Sequence, residues 1–247
     1  MFTPLDLLAV AEIPPGNETE TITPIVVAVI CFLGLWIFMG RARAARTEKR
    51  AATFTPLGYT FRAQATPEDE HLLDGFVLGE LYARGRRKRL HNIAQAPASA
   101  SGALTIFDFH FRADVVPAEP LTSESTFVGV AVRCSHPEIR ATVFKLTPRG
   151  WGDPMKPLFP SGPIEFPDDP EFNRLYTLRG LDESAVRACF TPEVRQALRP
   201  FAQFLELEGR AGHLLNWRRM VLSPSLALVE ETRQLVQAFR RQATSKT

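Results

Sequence analysis

ALTIFDFHFR, residues 103–112, alternates without interruption: Phe107, Phe109 and Phe111 fall on one side, and Asp108, His110 and Arg112 on the other. A period of two marks a strand with one covered face, whereas helical apolar positions recur every three to four residues. Two further runs behave alike. TFVGVAVRC (126–134) aligns Val128, Val130, Val132 and Cys134, and ATVFKL (141–146) is short and apolar. With no helical pattern between them, the three predict an antiparallel meander and exclude β-α-β units.

Downstream, TPRGWGDPMKPLFPSGP (147–163) holds too much Pro and Gly for regular structure. Helix starts follow at Asp169 with Pro170, at Asp182 ahead of Val186 and Phe190, and at Thr191 with Pro192 ahead of Val194, Leu198 and Phe201. FLELEGRAGHLLNWR (204–218) predicts a hairpin turning within 209–212, with Glu208 and Arg218 as a candidate ion pair across it. Its GRAG joins two strands, unlike the helix-joining GXXG loop of RNA-binding KH domains. Ser223 and Pro224 open a long last helix striped by Leu228, Leu235, Val236 and Phe239, packed on the chain's own sheet or offered to a partner. The expected fold class is α+β.

Upstream, Thr66 and Pro67 with Glu68, Asp69 and Glu70 predict a helix start, continued by Leu73, Val77 and Leu81 on one face. GRRKRLHN (85–92), entered from Arg84, concentrates positive charge ahead of a strand. Charge runs are usually solvated surface; the functional reading gives Arg86, Arg87 and Arg89 to anionic lipid.

ITPIVVAVICFLGLWIFM (22–39) contains no charge. At about 1.5 Å per residue it covers roughly 27 Å, near the ~30 Å hydrocarbon core of a bilayer. Pro24 is expected in its first turn and Trp36 at the interface. Residues 1–21 carry Asp6, Glu12, Glu18 and Glu20 but no Lys or Arg, which argues against a cleavable signal. RARAARTEKR (41–50) follows at once, and Arg41, Arg43 and Arg46 are further candidate lipid contacts. Positive charge stays inside, so the expectation is one retained transmembrane helix in the cell membrane, N-terminus outside and C-terminal domain cytoplasmic. The expected organisation is a tail (1–21), the span (22–39), a basic linker (40–56), one α+β domain (57–241) and a second tail (242–247).

Net charge is only +2, so beyond the collar no nucleic-acid partner is expected. Cys31, Cys134 and Cys189 are scattered without a C-x-x-C, which suggests neither a zinc cage nor a disulfide framework. Phosphate-loop, dinucleotide, H-E-x-x-H and G-x-S-x-G motifs are all missing, and no cofactor is expected. The sharpest catalytic candidates are Asp108 and His110, side by side on one strand face, able to share a proton or begin a metal site. A metal needs three or four ligands, and the histidines are dispersed singly, so the polar face of a half-buried strand is the preferred reading.

The succession GRRKRLHN, IFDF, EFNRLYTLRGLDESAVRACFTPEV and LEGRAGHLL resembles a group of uncharacterised bacterial single-pass membrane proteins carrying a DUF3137-like domain of unknown function. The resemblance spans residues 55–240, is most specific in the FNRLY…FTP block, and implies a bacterial source and a folded cytoplasmic domain but no catalytic residue. The expected function is a membrane-anchored, non-catalytic binding or assembly module whose partners are the lipid bilayer and a protein. The other reading is a membrane-tethered metal-dependent or hydrolytic enzyme built on Asp108 and His110.

Overall fold

A computed structural model describes residues 18–97, 102–114, 124–139, 141–150, 159, 162–219 and 226–241. The chain divides into two units, Met1–Lys49 and Arg50–Thr247.

The described part of the first unit belongs to one helix, α1 (Glu18–Phe54), whose last residues fall in the second unit. The apolar side chains from Val26 to Met39 are exposed, Phe32 and Trp36 at 66% and Phe38 at 69%. The stretch Val26–Leu57 is long and apolar enough to cross a membrane, with mean hydropathy 1.8 in its apolar window and none of that window buried. Two details differ from expectation. The helix begins at Glu18, so Pro24 lies inside it and removes one backbone hydrogen bond. The expected basic linker is helical through Phe54, because its Ala, Arg, Glu and Lys residues are strong helix formers.

The second unit is α+β, built on one antiparallel sheet ordered β1-β2-β3-β4-β8-β7-β5-β6. β1 (Thr60–Gln64), β2 (Arg86–Gln95), β3 (Ala103–Asp114) and β4 (Glu124–Ser135) form a meander. β5 (Phe144–Pro148) does not continue it. Instead β8 (His213–Arg219), hairpinned to β7 (Glu206–Arg210), lies between β4 and β5. β4 and β8 are apolar on both faces, with Val130, Ala131, Val132, Leu214, Leu215 and Trp217 at 0% exposure, and such strands take the centre of a sheet. β6 (Tyr176–Gly180) completes the far edge beside β5 and was not expected.

Alternation sends Phe107, Phe109, Phe111, Ala131, Leu215 and Trp217 to one face, beneath α2 (Val77–Arg84). The opposite face carries Ile106, Val130 and Val132, covered by Phe54 of α1 and by Leu228 and Val229 of α6 (Leu226–Arg241). Farther along, Phe144, Leu207 and Leu214 meet Phe172 of α3 (Pro170–Leu175), Val186 of α4 (Glu183–Cys189) and Val194 of α5 (Pro192–Leu198). Leu235, Val236 and Phe239 of α6 join that cluster, so the stripe of the last helix packs on the chain's own sheet. At 16 residues α6 is shorter than expected, and Ser223 and Pro224 lie outside the described residues.

The single helix expected from Thr66 is broken. Thr66 caps the start as expected and forms a capping box with Asp69, Thr66 N donating to Asp69 Oδ2 at 2.8 Å. A 3₁₀ turn then runs to Leu73, and α2 starts only at Val77. Between them Gly75 has φ +73, and a Cβ there would lie 1.5 Å from the Arg210 guanidinium. Asp169 and Asp182 cap α3 and α4 as expected, accepting from Phe172 N and Ala185 N at 3.0 Å.

Candidate functional site

Asp108 lies near the middle of β3, 8% exposed, on the face shared with Ile106. Asn92 Nδ2 donates to its Oδ2 at 2.9 Å, the Arg50 guanidinium forms an ion pair with Oδ1, and His91 Nε2 stands 3.5 Å from Oδ2. Asn92 has φ +53 and sits in a register shift of β2 between His91 and Ala94, an irregularity of the kind that re-aims a side chain. Burial pushes the Asp108 carboxyl up, and Arg50 with Asn92 pulls it part of the way back.

His110 is half-buried two residues along, with Nδ1 3.4 Å from the Arg87 carbonyl oxygen. The imidazole beside the Asp108 carboxylate is thus His91, its cross-strand register partner. Among the described residues no group of three or more His, Cys, Asp or Glu side chains could hold a metal ion. Whereas the structure brings Arg50, Asn92 and His91 to Asp108, the sequence nominated Asp108 together with His110. It missed Arg50, which looks like one more basic residue of the collar, and His91, which ends a charged run.

The opposite face hides a second charged cluster. Glu208, 1% exposed, accepts from Leu78 N at 3.1 and 3.2 Å and from Trp217 Nε1 at 3.1 Å. It thereby caps the first turn of α2 from a strand distant in sequence. Beside it Lys145 Nζ lies 3.8 Å from Glu206 Oε2 and 5.4 Å from the Trp217 ring centre. Arg219 grips Glu206 with both carboxylate oxygens engaged, at 2.8 and 3.2 Å. Arg179 is the register partner of Lys145. Burial raises the Glu208 carboxyl to about 7, with Lys145 the leading opposing influence.

The candidate Glu208–Arg218 pair does not form. Glu208 pairs in register with Leu215, so Arg218 points to the other face and meets Glu231. The side-chain period of two puts residues 208 and 218 on opposite sides once that register is set. A third cluster joins Asp169, Arg195 and Arg199 at 2.9 Å contacts, with the Arg195 guanidinium 4.3 Å from the Phe166 ring centre. Burial works against the Asp169 charge, but Phe172 N, Arg195 and Arg199 together hold its carboxyl below the usual range. These residues flank the FNRLY…FTP block on both sides and staple the start of α3 to α5. The candidate lipid contacts Arg86, Arg87 and Arg89 are exposed on β2, and Arg41, Arg43 and Arg46 are exposed on α1.

Fold and clusters together define an α+β sheet protein with an exposed apolar helix ahead of it in sequence and its internal charges gathered in clusters. No family model and no curated protein matches the chain. Among solved structures it is similar to the crystal structure of the mycobacterial trehalose monomycolate transport factor A, TtfA, at 9% identity and a TM-score of 0.50, over 81% of this chain and 94% of that one. At this identity the likeness is one of fold.

Proposed function

We propose that the protein is a single-pass membrane-tethered binding or assembly module, non-catalytic, with its N-terminus outside and the Arg50–Thr247 unit in the cytoplasm. The observation that carries this reading is the employment of Asp108. The carboxylate most suited to chemistry is engaged by Arg50 and Asn92, so it fastens the last turns of α1 to the sheet. The charge asymmetry of residues 1–21 and 41–50 supports the orientation. The fold shared with a protein named as a transport factor supports an accessory role beside a transport system, reached through a protein partner of the cytoplasmic unit.

The test is made on the full chain in cells. The protein should stay in the membrane pellet after alkaline carbonate, and a reporter fused after Thr247 should be active only on the cytoplasmic side. In-cell crosslinking should give one discrete adduct, retained when an unrelated transmembrane helix replaces residues 22–39 and lost when residues 1–40 are deleted. A hydrolytic activity of the purified chain, abolished by Asp108→Asn in a variant that still folds, would overturn the non-catalytic reading.

A further inference from the structure

One corner of the sheet carries basic side chains facing solvent. β1 pairs only with the second half of β2, opposite residues 91–95, so the first half has β3 alone as its neighbour. Arg86, Arg87, Lys88 and Arg89 are exposed there. Arg87 adopts φ +53 in a register shift between Arg86 and Arg89. That shift breaks simple alternation along this half of the strand. Among the described residues no carboxylate lies within ion-pair distance of Arg86, Arg87 or Arg89, whereas nearby Arg84 meets Glu80 at 3.8 Å.

The corner also lies where the chain enters the unit. Phe54 packs with Leu104 and Ile106, and four residues earlier Arg50 sits on Asp108. His110 and Arg112, the register partners of Arg89 and Arg86, lie further along the same strand as Asp108. From Asp108 to His110 is about 7 Å along the strand. Only residues 40–49 separate Met39, the end of the apolar run, from Arg50, a reach of at most roughly 40 Å whatever their conformation.

We infer that the Arg86–Arg89 corner is a docking surface for anionic lipid headgroups of the leaflet in which the helix is anchored. The inference rests on the tether reading. Guanidinium groups bind phosphate bidentately, and a negatively charged leaflet attracts basic residues held within a Debye length of it. Nucleic-acid phosphate offers the same chemistry, but a net charge of +2 and the burial of Tyr82 and Phe111 beside the corner leave neither a basic field nor a stacking platform for it.

The experiment uses the full chain in lipid nanodiscs, with hydrogen–deuterium exchange read on peptides covering residues 84–92. Discs of phosphatidylcholine are compared with discs containing 30% phosphatidylglycerol, at low and high NaCl. The expected result is exchange several-fold slower in the anionic discs, reversed by ~0.5 M salt. Arg86→Gln/Arg87→Gln/Arg89→Gln should lose the difference while β7–β8 peptides keep wild-type protection, and the corresponding triple Lys variant should retain it. Equal exchange of the wild-type peptide in both discs would overturn the docking surface and leave the tether intact. Protection produced by an added oligonucleotide but not by phosphatidylglycerol would overturn it in favour of nucleic acid. Failure of the chain to enter discs at all would overturn the tether reading and the docking surface with it.

Discussion

At the scale of single residues, the fold commits charge to its interior in several places, and two of them have a measurable consequence. Removing the Asp108 carboxylate takes the oppositely charged partner away from the Arg50 guanidinium, which is 5% exposed. Asp108→Ala should cost about 3–5 kcal/mol in denaturant unfolding of the full chain in detergent, and Arg50→Met/Asp108→Leu should recover most of it. Glu208 acts through pH. Its folded carboxyl titrates near 7 against an ordinary value of 4.5. The folded state therefore binds the extra proton between those values, and this contribution to stability is complete below pH 4.5 and gone once pH has risen past 7. The loss is on the order of 3 kcal/mol. Glu208→Gln keeps an acceptor for Leu78 N and Trp217 Nε1, so its melting temperature should lack that slope. Glu208→Ala, which orphans both donors, should be destabilised at every pH.

At the scale of elements, Gly79 separates two rules that normally agree. Helix propensity alone gives Ala an advantage of about 1 kcal/mol inside α2. A Cβ at that position, however, would stand 1.9 Å from the Leu73 carbonyl oxygen, in the break that precedes the helix. Gly79→Ala should lower the melting temperature, by about 1–3 kcal/mol of stability, where a free helix would gain. The same break shows what the sequence could and could not disclose. β3 and β4 were legible because each obeys one strict period, and the caps at Asp169 and Asp182 because short-range hydrogen bonds define them. The split near Gly75 was not, since it depends on Arg210, which approaches from another strand. β6 escaped because five residues between two helix starts carry too short a pattern. Within the site, Asp108 stood out as a carboxylate on an apolar strand, while its partners Arg50 and Asn92 are fixed by tertiary packing and a bulge.

At the scale of the whole molecule, one face of the sheet is covered by segments far apart in sequence. α6 spreads its apolar stripe over two clusters of one face, and Phe54 at the other end of the chain covers the same face. Deleting residues 226–247 would expose Val130, Val132, Phe144 and Leu214 together, so the truncated chain should form large aggregates in detergent by size-exclusion chromatography while the full chain elutes as a single peak. The order of strands was beyond reach of the sequence for a related reason. Local pattern identifies β4, β5, β7 and β8 as strands, but their neighbours are settled by which pairs are apolar on both faces, a property of the assembled sheet.

The cap that Glu208 places on α2 spans 130 positions of the chain. At ~5–20 residues per second of synthesis, Leu78 emerges on the order of ten seconds before the carboxylate that will complete its helix. From its own synthesis until β8 follows about 80 residues later, β4 presents a long apolar edge with no β8 to pair with it, the condition under which strands add to one another between molecules. Production of this protein is therefore set by a waiting time: slowing translation lengthens the exposure of β4, and a holding chaperone, which keeps neighbouring chains apart, limits its effect.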